Sequence, residues 1–160
     1  RGPAVLLALR RGPPERNVTG RHGVGAAGRK VRTALGVCYL VAGIGKCVPS
    51  WESTEQRLGQ ALKANRNTPL EGPTRWLHER HEGTNAFVAA SMVGAGAALL
   101  SDDGRVVDAA LVGTLPMLGS FATLLHRALP PVVPVDAAFG AAAVWVLRQR
   151  RLAAKASRSA

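Results

Sequence analysis

The chain alternates between long apolar blocks and shorter polar segments. No block carries a polar stripe at helical spacing, which a helix packed on the surface of a soluble bundle would show. Each block is close to the ~17–25 residues needed to cross a hydrocarbon core, two of them at the short end. We therefore expect an all-α fold, an integral membrane bundle of about four transmembrane helices. The predicted helices cover residues 33–48, 85–100, 106–125 and 132–147.

Polar and proline-rich turns separate these blocks. The turn Ser101-Asp102-Asp103-Gly104 lies between the second and third blocks, and prolines 130, 131 and 134 lie between the third and fourth. Backbone groups in lipid must be satisfied within a helix, so such turns belong at the membrane surfaces. The predicted organisation is a basic, largely extended extramembrane tail over 1–32, a transmembrane domain over 33–150 and a basic tail over 151–160.

The long loop over 49–84 has an amphipathic pattern of its own. Trp51, Leu58 and Leu62 fall on one helical stripe, and charged residues occupy the other positions. This pattern predicts an interfacial helix over about 51–65 that lies along the membrane surface.

The formal charge of +11 is distributed unevenly. A strongly basic chain suggests a nucleic-acid partner at first. However, eight basic residues and one acid precede the first block, five basic residues follow the last, and the 49–84 loop holds equal numbers of each sign. Basic segments that flank apolar blocks indicate membrane topology, so we expect no nucleic-acid partner and both termini on one side.

The first segment also suggests a compartment. An Arg-rich, acid-poor N-terminal sequence is typical of an organelle transit peptide or of the segment directly after one. We expect an organellar membrane, the thylakoid before the mitochondrial inner membrane, with both termini on the stroma or matrix side.

Small residues in the first two blocks predict close helix packing. The expected helix-packing positions are Gly36, Gly43, Gly94 and Gly96. Gly36 and Gly43 lie on the same helical arc as Lys46, which is near enough to the block end to extend to the surface as an anchor.

Aromatic and cysteine positions add to this picture. Three tryptophans lie near predicted interfaces, where amphipathic rings are favoured, and we expect them to act as anchors: Trp51, Trp76 and Trp145. Cys38 and Cys47 are nine residues apart, which suits neither a redox pair nor a metal site, and we expect free, buried thiols.

Ionisable residues near the block ends have simple explanations. Asp108 and Asp136, near the starts of the third and fourth helices, are expected to interact with the helix dipole and cap backbone N–H groups. In "LHERHE", His78 and His81 are three residues apart rather than the four of the zinc-protease pattern, so no metal site is predicted. His126 is the candidate pigment ligand, and no catalytic residues are predicted.

The stretch "RTALGVCYLVAGIGK", followed by a long loop and a Gly/Ala-rich helix, resembles the DoxX-like family of small four-helix membrane proteins. The matching residues are Arg32, Gly36, the Ala42-Gly43 pair and Lys46, and the resemblance extends over residues 32–150. It implies a membrane redox partner, because bacterial members are associated with quinone-linked assemblies. No catalytic residue carries over.

Two functions are therefore expected. The first is a non-catalytic accessory subunit of a large organellar energy-transducing complex, preferably a photosystem, in contact with other membrane subunits, the lipid bilayer and chlorophyll or carotenoid. The alternative is a DoxX-like redox component linked to quinone or to a respiratory complex.

Overall fold

The described part of the chain, residues 25–48 and 53–159 of a computed structural model, is all-helical. It contains six helices and no strand within those ranges. The helices are α1 (Ala26–Gly45), α2 (Thr54–Ala64), α3 (Glu71–Glu79), α4 (His81–Leu100), α5 (Gly104–Leu125) and α6 (Val132–Ala156).

The four long helices form a closed antiparallel ring in which α1 contacts α4, α4 contacts α5, α5 contacts α6 and α6 contacts α1. At one end, which we call the basic end, Arg32 Nη1 donates to the Ser101 carbonyl over 3.2 Å. At the opposite end, which we call the loop end, Asn85 Nδ2 donates to the Lys46 carbonyl over 3.2 Å. The basic end thus holds the start of α1, the α4–α5 turn and the end of α6. The loop end holds α2 and α3.

Local sequence explains where several helices begin. Ser53 caps α2 by accepting from the Gln56 N–H, and Asp103 caps α5 by accepting from the Arg105 N–H over 2.8 Å. Such caps satisfy N–H groups that have no partner within the helix. Pro134 lies in the first turn of α6, where a missing N–H costs no intrahelical bond.

Three helices, α4, α5 and α6, are long and apolar enough to cross a membrane. α1 has a similar length, but its first two turns carry Arg29, Lys30 and Arg32. Much of the outer surface of the four long helices is apolar. Exposed large apolar side chains on these helices include Val41, Ile44, Phe87, Val112, Val135 and Val144.

Several predicted boundaries are wrong. Residues 26–32 belong to α1 rather than to an extended tail, and α6 continues to Ala156 through most of the predicted C-terminal tail. α1 ends at Gly45 rather than at 48, and the long loop contains a second helix, α3, that no sequence pattern predicted. Trp51 and residues 1–24 lie outside the described residues.

The hydrophobic core fills the half of the ring nearest the basic end. Its buried members are Leu35, Tyr39, Leu99, Val107, Leu111, Ala143 and Val146. Near mid-bundle, Tyr39 meets Phe139 edge to face, with ring centroids 5.6 Å apart, an arrangement that aromatic pairs prefer.

Glycines allow α1 and α4 to approach closely. A Cβ on Gly43 would lie 2.8 Å from Val93 Cγ2, and one on Gly96 would lie 2.8 Å from the Gly36 carbonyl oxygen. Gly94 is different, since a Cβ there would meet nothing within 4 Å. The packing prediction is therefore wrong for Gly94, because residues two apart on a helix point in nearly opposite directions.

The two cysteines are free and exposed, so the prediction that they are buried is wrong. The buried positions of α1 include Leu35, Gly36, Tyr39 and Gly43. Cys38 lies between them on the outward face, and Cys47 follows the end of the helix.

Candidate functional site

A cavity of about 550 Å³ occupies the half of the bundle nearest the loop end. Its walls come mainly from α4 and α5, with α2 across the end and the start of α6 at one side. The volume is that of a pocket for one small organic molecule. The apolar lining includes Leu58, Leu77, Phe87, Val88, Met92, Pro116, Met117, Phe121, Leu124, Leu125 and Val132.

The position of the cavity follows from side-chain size along α5. Leu111 and Leu118 are buried, whereas Gly113, which lines the cavity, has no side chain to fill the space. Pro116 also lines it, and its missing N–H leaves the Val112 carbonyl without the usual helical partner. Leu58 of α2 is only 6% exposed and covers the outer end of this space.

A hydrogen-bonded bridge joins three helices beside the cavity. The Thr54 hydroxyl on α2 donates to Asn85 Oδ1 on α4, and Asn85 Nδ2 donates to the carbonyl of Lys46 at the end of α1. Thr54 and Lys46 both line the cavity. The bridge therefore holds α2 and the end of α1 in position at the cavity wall.

Asp136 is the acid that lines the cavity. Its side chain lies on the second turn of α6, and Oδ2 is buried with no hydrogen-bond partner among the described residues. Unsatisfied buried acceptors are uncommon because each loses its hydration without a replacement. The carboxyl group is therefore available to a hydrogen-bond donor that enters the cavity.

Two cations line the same cavity. Lys46 and Arg57 contribute to its wall, and no described acid lies within ion-pair distance of Lys46. The sequence interpretation gave these residues separate roles, Lys46 as a surface anchor and Asp136 as a helix-start acid. The structure brings both to one cavity.

A buried amide next to the cavity was missed by the sequence interpretation. Asn65, at the end of α2, is fully buried, and its Nδ2 donates to Thr74 Oγ1 over 3.1 Å and to the Leu124 carbonyl over 3.0 Å. These bonds attach α2 and α3 to the end of α5. A polar residue after an amphipathic segment looks like a simple helix end, so the sequence offered no signal for this role.

Other predicted site residues lie away from the cavity. His126 is exposed at the end of α5, and its Nδ1 lies 2.7 Å from the Thr123 carbonyl of the same helix. Its pigment-ligand role stays a prediction. Trp76 is 55% exposed with Arg80 4.9 Å from its ring centre, and Trp145 is 39% exposed on α6. Anchor positions of this kind require an exposed ring, which both provide.

Asp108 has a different role from the predicted cap. Its carboxylate accepts a hydrogen bond from Arg150 of α6, so it links two helices and does not cap the start of its own helix.

The histidines of "LHERHE" lie on different helices, since α3 ends at Glu79 and α4 begins at His81. His81 Nε2 lies 3.9 Å from Glu55 of α2, and the described residues contain no group of side chains suited to a metal ion.

Comparison with known proteins identifies a family. A model of a family of unknown function, DUF6041, matches residues 29–160, and the chain belongs to this family. The chain is also similar to the oxidoreductase PigB of Serratia sp. (strain ATCC 39006), with 28% identity over 118 residues. That match covers 74% of the chain but only 18% of PigB, so the chain spans less than a fifth of this relative's length. No solved structure matches the chain.

Proposed function

We propose that this member of the DUF6041 family is a membrane-embedded module that works with an oxidoreductase. The observation that carries the proposal is the combination of an apolar-surfaced helical ring with similarity to a small part of an oxidoreductase. In this role the redox chemistry takes place on the larger partner or on further polypeptide attached to the module.

The apolar exterior supports placement in a bilayer. Exposed valine, phenylalanine and isoleucine side chains surround the ring, as on Ile44 (57% exposed) and Phe87 (71% exposed). In water such a surface would be unfavourable, whereas lipid tails solvate it. α1 would cross together with the three longer apolar stretches, with Arg29, Lys30 and Arg32 at the headgroup level.

Charge supports one orientation. The basic end has a clear excess of positive charge, since residues such as Arg29, Lys30, Arg32, Arg148, Arg151 and Lys155 lie there with three acids, Asp102, Asp103 and Asp108, whereas the two signs are closer to balance at the loop end. Because basic segments remain on the cytoplasm-like side, the basic end faces cytoplasm, stroma or matrix. Residues 25 and 159, the outer limits of the described chain, then share that side.

The relative favours the redox alternative over the photosystem role. PigB is described as an oxidoreductase, and this supports a redox partner. The photosystem assignment, with chlorophyll or carotenoid, the thylakoid location and the DoxX-like resemblance stay predictions.

The two native cysteines test the membrane placement. Cys38 lies on the outward face near the middle of α1, and Cys47 follows the helix end. In sealed vesicles, a membrane-impermeant maleimide should label Cys47 from the side opposite the basic end. Cys38 should label only after detergent is added, and Cys47→Ser should remove the vesicle signal. Equal labelling of both cysteines in intact vesicles would contradict the placement.

Partnership is tested in native membranes. After mild detergent extraction, the tagged chain should migrate with an oxidoreductase that is identified by mass spectrometry. That enzyme's activity should fall when the chain is deleted and return when it is restored. Migration as a lone small protein, together with unchanged enzyme activity in the deletion strain, would exclude a redox partner.

A further inference from the structure

We propose that the cavity between α4, α5 and α2 binds an uncharged amphiphile, an apolar molecule whose single hydroxyl-type head group donates a hydrogen bond to Asp136. Ligand binding here rests on the membrane placement proposed above, because the bilayer would supply the molecule. It does not rest on the redox partner, so loss of that partner would leave the ligand site unaffected.

The apolar walls select the body of the ligand. Aromatic and thioether side chains contribute to the lining, notably Phe87, which is also largely exposed on the outer surface, Phe121, Met92 and Met117. Methionine is flexible and polarisable, so these walls adapt to apolar ligands of differing shape. A volume of about 550 Å³ accommodates one aromatic or alkyl molecule rather than a lipid with two acyl chains.

The polar groups of the lining that have no hydrogen-bond partner determine which head group can bind. Three of the four hydroxyls in the lining, those of Thr54, Thr84 and Ser120 but not Ser91, donate to an oxygen of the protein, on Asn85, Leu77 and Pro116 respectively. Asp136 Oδ2 is the buried side-chain oxygen of the lining that has no such partner among the described residues. A ligand N–H or O–H would donate a hydrogen bond to Asp136 Oδ2. This bond would compensate for the hydration that the oxygen loses on burial.

The charge of the lining favours an uncharged hydrogen-bond donor over a cationic one. Lys46 lines the same cavity and has no described acid within ion-pair distance, so its positive charge opposes the entry of an ammonium ligand. A phenol or alcohol presents an O–H donor without that repulsion. The expected order of affinity is therefore hydroxyl over ether, and hydroxyl over ammonium.

The chain has a convenient reporter for this site. It contains two methionines, Met92 and Met117, and both line the cavity. Selective ¹³C-methyl labelling in nanodiscs gives two NMR signals that report directly on occupancy. The probes are 4-octylphenol, 4-octylanisole, in which the donor is methylated, and 4-octylbenzylamine, which is cationic at neutral pH.

We expect 4-octylphenol to shift both methyl signals in a saturable way, with at least about tenfold higher affinity than 4-octylanisole or 4-octylbenzylamine. Asp136→Leu should reduce the affinity for the phenol to that for the ether and leave the ether unchanged. Shifts that grow linearly with probe content, equal affinities of phenol and ether, or wild-type affinity in the Asp136→Leu variant would each overturn the proposal.

Two glycine-to-leucine variants distinguish binding in the cavity from partitioning of the probe into the bilayer. A Cβ at Gly113 of α5 or at Gly94 of α4 meets no atom within 4 Å, so both positions accept a larger side chain. Only Gly113 lines the cavity. Gly113→Leu should abolish the saturable shifts by filling the space, and Gly94→Leu should retain them. Retention in both variants would place the probe outside the cavity and overturn the proposal.

Discussion

Arg150 of α6 binds two groups of α5 that are separated by one helical turn. Its Nε donates to Asp108 Oδ1 and its Nη2 donates to the Gly104 carbonyl over 2.8 Å. The arginine side chain is 19% exposed and the aspartate 46% exposed, so solvent screens the pair only in part. The contact joins the end of α6 to the start of α5 at the basic end.

Replacing Arg150 with Met should therefore loosen this end of the bundle. Both hydrogen bonds are lost, and we expect a cost of about 1–2 kcal/mol once partial screening is taken into account. Thermal unfolding in nanodiscs measures the change. Arg148→Met is the matched control because Arg148 is exposed on the same helix, and it should leave Tm unchanged. Equal effects of the two substitutions would show that the ion pair contributes nothing specific.

The contact between α1 and α4 should not tolerate a side chain at Gly43. An alanine Cβ would lie 2.9 Å from the Val93 backbone nitrogen and 3.0 Å from the Ala89 oxygen, so the helices must separate. Overpacking costs about 1–3 kcal/mol, which exceeds the gain of up to ~1 kcal/mol in helix propensity. Gly43→Ala should lower Tm, whereas Gly94→Ala should keep or raise it. A Gly43→Ala protein as stable as wild type would refute this packing.

The attachment of α2 and α3 should depend on Asn65. Asn65→Ala removes both amide bonds and leaves the partly buried Leu124 carbonyl without this donor, at a cost of about 2–3 kcal/mol. Hydrogen exchange should accelerate across residues 54–79 and stay slow in α1 and α6. Gln60→Ala, at an exposed position of α2, provides the control. Uniform exchange changes across the chain would instead indicate global destabilisation.

Acid should release the turn that precedes α3. The Asn67 N–H and then the Arg75 guanidinium bind the carboxylate of Glu71 and hold its pKa below the ordinary value of 4.5. A lowered folded-state pKa means that this stabilisation is complete above pH 4.5 and disappears as pH falls through the lower value. Asn67 has a φ of 60°, in the left-handed region that asparagine tolerates.

The Asn67 amide resonance should therefore move as the pH falls below 4.5. In Glu71→Gln that movement should vanish, because the titrating group is absent. Glu79→Gln is the control, since Glu79 lies at the far end of α3 and makes only a long contact of 4.0 Å with Arg80. Persistence of the shift in Glu71→Gln would assign it to another acid.

The sequence by itself determined the four long helices, the amphipathic helix of the long loop and their order, but not α3, because those five features depend on local patterns. Unbroken apolar blocks favour helices that satisfy their own backbone, and Asp103 starts α5 through its side-chain cap. The last helix, α6, begins at Val132, the residue at which the apolar pattern places its start. The basic flanks gave no signal for the start of α1 or the end of α6, because Lys and Arg are favourable inside a helix as well as outside it.

Only the tertiary structure decided which faces of those helices meet and what they enclose. Asn65 reaches a carbonyl 59 positions away and Arg150 a carboxylate 42 positions away, and no local pattern encodes such pairs. Gly94 and Gly96 look equivalent in the sequence, yet the rotation of α4 places only Gly96 against α1. The cavity arises in the same way. Gly113 and Pro116 leave space that α2 covers, and the start of α6 brings Asp136 to that space from a distant part of the chain.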